Sequence, residues 1–169
     1  MRSVVRARRS REPKHARSLH DRALGLLAVR PRSRSELRSR LLRAGFEAEE
    51  VDAELLRLED VGLIDDERFA LALAEHETHV RHSGSRAVAG ALRAKGVAPA
   101  TVARVLEEHS GDEEKRAMEL ARSRAGRMAG LDPATAFRRL SGLLSRRGYA
   151  PDLARRAARR ALELDPAGE

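Results

Sequence analysis

One turn pattern recurs three times along the chain, and this repetition limits the possible folds more than any other feature. A leucine, three variable residues, a glycine and a bulky apolar residue stand at positions 41–46, 92–97 and 144–149. Intervals of 51 and 52 residues separate the glycines Gly45, Gly96 and Gly148. Because periods of this length are typical of stacked helical repeats, the chain is predicted to be a helical array.

Each copy of the pattern is predicted to be a helix, a glycine turn and a second helix. Apolar residues stand eight positions before each glycine and six positions after it: Leu37, Val88 and Leu140 before, Val51, Val102 and Ala154 after. A glycine suits the end of a helix because the turn residue often adopts the left-handed conformation, which is costly for a residue with a Cβ. The apolar residue that follows is expected to pack beneath both helices.

No segment alternates polar and apolar residues as a half-buried strand does, so we expect an all-α protein. The predicted helices lie at about 21–29, 33–44, 48–61, 65–80, 85–95, 99–108, 112–127, 133–147 and 151–163. They form three tandem three-helix repeats in an elongated, curved array: repeat 1 (19–64), repeat 2 (65–110) and repeat 3 (111–164). We expect residues 1–18 to be a disordered basic arm and 165–169 a disordered tail. Because no repeat is large enough to bury a sufficient core alone, stability is expected to come from stacking of neighbours.

The charge of the chain is unevenly placed. The net charge is +8, and residues 1–17 carry seven cations against the single carboxylate of Glu12. Residues 47–67 reverse this sign, with ten carboxylates against Arg57 alone, and the last third is again rich in arginine. Such an acidic band between basic ends suits a mixed partner, part nucleic acid and part protein. Solvated helix faces and an arginine-rich genome are the competing explanation for any single arginine.

The sequence carries no sign of catalysis, metal or membrane chemistry. It has no cysteine, no phosphate-binding glycine loop and no nucleophile elbow. Three histidines at His76, His79 and His82 are spaced three apart, but successive steps of three rotate around a helix, so we expect an exposed polar face rather than a metal site. The longest apolar stretch, residues 23–29, is too short to span a bilayer. We therefore predict a cytoplasmic protein without cofactor or enzyme activity and, for want of a long heptad pattern, a monomer.

The sequence also resembles a known family. Residues 62–70 read Gly-Leu-Ile-Asp-Asp-Glu-Arg-Phe-Ala, and together with residues 34–37, Gly45–Phe46 and Lys95–Gly96 they are similar to the RecX family of bacterial recombinase regulators. The resemblance runs from about residue 19 to 164 and is weaker in repeat 3; Ala91 stands where the family often has a polar residue. It implies a modulator that binds the RecA filament on DNA, lodges in its helical groove and mostly inhibits strand exchange and ATP hydrolysis, in DNA repair and the SOS response.

Candidate contact residues follow from the predicted faces of the helices. The aromatic residues occupy core or packing positions, which leaves phosphate contact by arginine as the main way to hold single- or double-stranded DNA, without reading sequence. The arginines predicted to project from the core and contact DNA or the filament are Arg43, Arg86, Arg93, Arg138, Arg139, Arg146, Arg155, Arg156 and Arg159. The acidic residues predicted to face basic recombinase surface are Glu49, Glu50, Asp60 and Asp66.

Two other functions are kept as alternatives. Residues 37–64 also resemble a winged-helix transcription regulator, although the segment after residue 64 is predicted to be helical where the wing would lie. The second alternative is a helical-repeat scaffold that binds only protein. The sequence does not distinguish capping of filament ends from insertion along the groove.

Overall fold

The computed structural model describes residues 18–109 and 111–163, and every regular element in them is helical, as predicted. The described α-helices are α1 (Leu19–Val29), α2 (Arg34–Arg43), α3 (Ala48–Asp60), α4 (Asp66–Glu75), α5 (Ser85–Ala94), α6 (Pro99–His109), α7 (Glu113–Ala125), α8 (Pro133–Arg146) and α9 (Pro151–Ala161). They are arranged as three consecutive three-helix repeats. Of the predicted arm only Ser18 is described, and it caps α1; the rest of the arm and the predicted tail fall outside the described residues. None of the described helices is long and apolar enough to cross a membrane.

The three glycine turns form as predicted. Gly45, Gly96 and Gly148 have φ angles of 95°, 70° and 88°, in the left-handed region that favours glycine. The residue after each glycine donates its amide to the carbonyl of the leucine five positions earlier, as in Tyr149 N to Leu144 O at 3.2 Å. This pairing satisfies carbonyls that the end of the helix would otherwise leave unbonded.

The helix starts follow their side-chain caps, whereas one predicted helix end is modified. Asp65 accepts from the amide of Arg68 at 2.9 Å and Asp132 from that of Thr135 at 3.0 Å. The fourth helix was predicted to continue to Val80, but its last turn, His76–Val80, is a π-helix. π-Turns of this kind insert one extra residue per turn and commonly occur within longer α-helices.

The buried core is divided among the three repeats. Three separate apolar clusters are present among the described residues, and each lies within a single repeat. Tyr149, Leu140 and Leu144 lie in the cluster of repeat 3, Leu92 in that of repeat 2 and Leu37 in that of repeat 1. Three short helices thus enclose a small cluster of leucine, valine and alanine side chains within each repeat. That stability comes from stacking of neighbours stays a prediction.

The repeats are joined instead by hydrogen bonds at two equivalent places, here called junction 1/2 and junction 2/3. At each junction the glycine turn of one repeat packs against the start of the middle helix of the preceding repeat. In junction 2/3 the amide of Gly84 donates to Arg147 O at 2.8 Å, and that of Arg86 to Gly148 O at 3.1 Å. In junction 1/2 the Ser33 hydroxyl donates to Lys95 O.

A carboxylate from the following repeat completes each junction. Asp66, the first residue of α4, accepts from the amide of Arg34 at 2.7 Å, and Glu113, the first residue of α7, accepts from the amide of Ser85 at 2.8 Å. Both amides lie in the first turn of a middle helix, where backbone donors lack intrahelical partners. The same capping contact is thus made twice, across both junctions.

Candidate nucleic-acid interface

Arginines gather at junction 2/3 because two helix ends meet there. Arg86 lies in the first turn of α5, while Arg146 ends α8 and Arg147 follows it, and all three are exposed. We call these three the junction arginines. The Arg147 guanidinium donates to the carbonyl of Arg81 and so helps to hold the junction. Arg81 is itself paired with Glu77 at 3.2 Å.

Junction 1/2 contains a carboxylate at its centre. Glu36 accepts hydrogen bonds from Arg30, from Arg32 at 2.6 Å, from Arg40 at 3.2 Å and from Lys95 at 3.3 Å. Burial alone would raise the pKa of Glu36, but hydrogen bonds from Arg30, Lys95 and Arg32 outweigh burial and lower this pKa to about 2. The cations of junction 1/2 therefore already have an anionic partner within the protein.

Junction 2/3 lacks a carboxylate at the position of Glu36, and its own carboxylate, Glu113, accepts from the amide of Ser85. Glu36 stands nine residues before Gly45, and the residue nine positions before Gly96 is Ala87. A small side chain is required there, because the backbone of Gly148 packs directly against Ala87. Within the described residues no carboxylate forms an ion pair with a junction arginine. The site thus carries a local excess of positive charge that an external anion, such as phosphate, can neutralise.

The exposed faces of the middle helices extend this basic surface. Arg86 and Arg93 are seven residues apart on α5, so two helical turns, about 10 Å, separate them on one face. Gly90 lies between them and is open to solvent. On α8, Arg139 and Arg146 have the same spacing. Gly90 has no side chain and lies between two long arginine side chains. A nucleic-acid backbone can therefore approach the helix closely at this point.

The remaining predicted arginines are exposed but differ in their partners. Arg43 donates to Ser39 O at 3.1 Å, and Arg155 pairs with Asp152 of the same helix. Arg159 is half-buried, with its guanidinium 5.5 Å from the centre of the Phe137 ring. The pKa of Asp132 is lowered by hydrogen bonds from Thr135 and, to a smaller extent, by the charge of Arg138. Within the described residues, the side chains of the other predicted arginines form no hydrogen bond or ion pair: Arg86, Arg93, Arg139, Arg146 and Arg156.

The predicted acidic contacts lie in two different environments in the structure. Glu49, Glu50 and Asp60 are exposed on the outer side of α3, as the helical projection predicts. Asp66 is half-buried and caps α2 across junction 1/2. One oxygen of its carboxylate therefore has a structural role at junction 1/2, which was not predicted, and its contact with a partner stays a prediction.

Two features of the charged surface were not predicted from the sequence. Arg147 was not among the predicted contacts, although its position next to the turn glycine, equivalent to that of Lys95, could have indicated it. Glu54 was not recognised as buried; its carboxylate lies 2.7 Å from the His20 ring and 2.7 Å from Arg57. A charged residue on the core side of α3 gives no sequence signal until its two partners are known.

The aromatic side chains are occupied in packing, as predicted. Tyr149 is fully buried and donates its hydroxyl to His82 O at 3.2 Å, and Phe69 is buried in repeat 2. Phe46 and Phe137 are half-buried. These rings are therefore poorly placed to stack on bases, which leaves phosphate contact as the mode that the surface favours.

The described residues also bear on a metal site and on a winged-helix fold. Among them no three His, Cys, Asp or Glu side chains come together as a metal site would require. Where a winged-helix protein would have its β-hairpin wing, this chain has α4 and the π-turn. The segment between residues 66 and 80 thus cannot serve as a wing.

Comparison with known families gives one consistent result. Three family models match in tandem: the first three-helix domain of RecX at residues 20–58, the second at 65–106 and the third at 112–158. Together they cover most of the chain.

Curated relatives and solved structures agree with these matches. Regulatory protein RecX of Streptomyces coelicolor is 38% identical over 141 residues, covering 83% of this chain and 75% of its own. That of Thermobifida fusca is 37% identical over 143 residues, covering 84% and 77%. The crystal structure of RecX from Lactobacillus salivarius superimposes with a TM-score of 0.77 at 18% identity, covering 87% of this chain and 96% of that one.

Proposed function

The chain belongs to the RecX family, and from that premise we propose that it regulates the RecA recombinase by binding the filament that RecA forms on DNA. Binding would mostly inhibit strand exchange and ATP hydrolysis during DNA repair and the SOS response. The protein would act in the cytoplasm by occupying a surface, with no chemistry of its own.

One observation carries the DNA part of this proposal. Junction 2/3 gathers three arginines that pair with no carboxylate in the described chain, and it has Ala87 at the position of Glu36, so these guanidinium groups are left for an external anion. The phosphate backbone of DNA is such an anion, and arginine binds it through directed, charge-assisted hydrogen bonds. The predicted arginines of α5, α8 and α9 would continue this contact. Glu49, Glu50 and Asp60 would face basic surface of the recombinase.

The proposal is tested by RecA ATPase activity on single-stranded DNA, titrated with this protein. We expect activity to be lost as the protein is added, and an undiminished rate at saturating protein would contradict the proposal. Loss well below one molecule per RecA indicates capping of filament ends. Loss only near one molecule per RecA indicates insertion along the groove.

Matched variants separate the arginine contact from a general charge effect. Arg86→Gln with Arg146→Gln should shift the inhibition curve to higher protein concentration. Arg22→Gln with Arg122→Gln removes the same charge from exposed positions outside the proposed surface and should leave the curve in place. A pull-down of RecA with and without single-stranded DNA supplies the second test, because a scaffold that binds only protein would be indifferent to DNA.

A further inference from the structure

One exposed residue at junction 2/3 is held in a strained backbone conformation. His82 has a φ of 52°, in the left-handed region that glycine adopts at little cost and other residues do not. The other left-handed residues of the described chain are five glycines and Glu163, at the last described position. Glycine would therefore fit position 82 at a lower cost in free energy, and the presence of histidine there needs an explanation.

The backbone around His82 is fixed by repeat 3. The His82 carbonyl accepts from the Tyr149 hydroxyl at 3.2 Å, and the carbonyl of Arg81 accepts from the Arg147 guanidinium. On the other side, the amide of Gly84 donates to Arg147 O at 2.8 Å. The segment that contains His82 thus lies along the glycine turn of repeat 3, beside the junction arginines.

The imidazole of His82 takes no part in these contacts. Its side chain is exposed and forms no hydrogen bond or ion pair within the described residues. It also lies outside the three apolar clusters. Residues held in a rare backbone conformation cluster at functional sites and ligand contacts, where the side chain has a role that outweighs the strain. Neither packing nor hydrogen bonding explains the imidazole, which leaves binding.

The carboxylates near His82 already have partners. The segments that meet at junction 2/3 carry two of them, Glu77 in the π-turn and Glu113 at the start of α7. Glu77 is buried and accepts from Ser83 at 2.9 Å and from Arg81 at 3.2 Å. Glu113 accepts from the first amide of α5 at 2.8 Å. An imidazolium at position 82 therefore has no carboxylate in reserve beside it.

The other titratable groups of these segments supply no anion near neutral pH. Burial raises the pKa of Tyr149, so the hydroxyl that donates to His82 O stays neutral. Arg81 and the junction arginines are cations, and His76 and His79 on the π-turn are exposed histidines. The partner of a protonated His82 must come from outside the chain.

We infer that His82 is a phosphate contact of the junction 2/3 surface, and that its imidazolium pairs with a phosphodiester of the bound nucleic acid. Histidine side chains gain a proton near about pH 6.5, so binding at this surface becomes tighter as the pH falls through neutrality. The inference deepens the proposed function by adding a residue and a pH response to the same surface. It rests on that function for the identity of the polyanion.

Fluorescence anisotropy with a short oligothymidylate tests the inference without RecA. At constant salt, the wild-type chain should bind about fivefold more tightly at about pH 6 than at about pH 8, the contribution of one exposed ion pair. His82→Asn preserves the left-handed backbone, which asparagine tolerates, but cannot gain a proton. This variant should lose the pH response, whereas His79→Asn, the same change at an exposed histidine of the π-turn, should retain it.

His82→Gly separates binding from folding. Glycine relieves the backbone strain and removes the imidazole, so this variant should unfold at the same or a higher urea concentration than wild type. It should nevertheless bind the oligonucleotide about fivefold more weakly at about pH 6. A lower urea midpoint together with weaker binding would assign His82 to folding and overturn the inference.

The remaining outcomes distinguish this inference from the proposed function. If His82→Asn shows the same pH response as wild type, the inference is wrong and the DNA contact of the arginines stands. If the wild-type chain binds no oligonucleotide at either pH, the inference and the DNA part of the proposed function fall together.

A salt comparison distinguishes a nucleic-acid strand from a free anion. Sodium sulfate and sodium chloride at equal sodium concentration should displace the oligonucleotide to a similar extent from wild type and from His82→Asn. Stronger displacement by sulfate that His82→Asn removes would assign His82 to an isolated anion and overturn the inference.

Discussion

Substitution of Gly148 by alanine should separate repeat 3 from repeat 2 without unfolding either. The added methyl would lie 2.4 Å from both the Cβ and the backbone nitrogen of Ala87, and backbone atoms cannot move aside by a change of rotamer. A left-handed alanine also costs about 1 kcal/mol.

The size of the effect is limited by what holds the junction together. Five hydrogen bonds cross the junction: Gly84 N to Arg147 O, Arg86 N to Gly148 O, the Tyr149 hydroxyl to His82 O, Ser85 N to the Glu113 carboxylate, and the Arg147 guanidinium to Arg81 O. At about 1 kcal/mol each, undocking costs about 5 kcal/mol, which is the most that the steric overlap can add before the junction opens. With the backbone cost included, we therefore expect Gly148→Ala to cost about 2–6 kcal/mol in all.

Substitutions at two other glycines separate the steric overlap from the cost of the left-handed backbone. Gly62 has a φ of 72° with open space around it, so Gly62→Ala should cost only the backbone term of about 1 kcal/mol. Gly84 has an ordinary φ of −80°, but a methyl there would lie 2.5 Å from Tyr149 N, so Gly84→Ala carries the steric term alone.

Hydrogen exchange of the Arg86 amide reports the opening directly. Gly148→Ala and Gly84→Ala should each speed this exchange about a hundredfold, the equivalent of about 3 kcal/mol, while amides in the core of repeat 3 stay protected. If Gly148→Ala exchanges no faster than Gly62→Ala, the described packing of the junction is wrong.

Three further predictions concern stability. Gly90→Ala, in the exposed middle of α5 with open space around it, should raise the free energy of unfolding by about 0.5–1 kcal/mol, seen as a higher urea midpoint; a lower midpoint would contradict the description of this face. Glu36→Gln should lower the free energy of unfolding by about 2 kcal/mol at pH 6. Because the pKa of Glu36 in the folded protein, about 2, lies below the ordinary value of 4.5, this difference should shrink in denaturation curves as the pH falls from 4.5 towards 2. A difference that does not change with pH would exclude the ionised carboxylate as its cause. Asp66→Ala should cost about 1 kcal/mol through loss of the α2 cap, measured by urea denaturation against Asp60→Ala as the exposed control, and equal midpoints would refute the cap.

The helices and turns were predictable because their causes are local. A left-handed glycine, an N-terminal Asp or a first-turn proline acts within one turn of helix, so Gly148, Asp132 and Pro133 marked their elements without knowledge of the fold. The π-turn at His76–Val80 was not predictable, since the insertion of one residue into a helix leaves no distinct pattern in the sequence.

The contacts between repeats were not predictable, because their causes are distant. Ser33 and Glu36 have the spacing of a capping box, and the amide of Glu36 does donate to the Ser33 hydroxyl at 3.1 Å. The Glu36 carboxylate, however, binds four cations instead of returning to Ser33, and one of them, Lys95, lies 59 residues away. The capping of α2 by Asp66 was not predictable for the same reason, because it exists only once the repeats are docked.

Of the candidate site, the sequence indicated the type of residue more reliably than the arrangement. Arg86 and Arg146 were selected individually as exposed arginines, and the structure brings them to one junction. Repeat 2 has Ala87 at the position that Glu36 holds in repeat 1. This difference could be interpreted only once Gly148 was seen to pack against Ala87.

The salt dependence of binding to RecA filaments on single-stranded DNA tests the central claim most directly. Affinity of the wild-type chain should fall steeply between low and moderate salt, because phosphate contacts release counterions. In the variant with Arg86→Gln and Arg146→Gln, the slope of log affinity against log salt should be smaller by about 1.4, or about 0.7 for each arginine replaced. A wild-type affinity that barely changes with salt, or an unchanged slope in the variant, would contradict the assignment of these arginines to DNA.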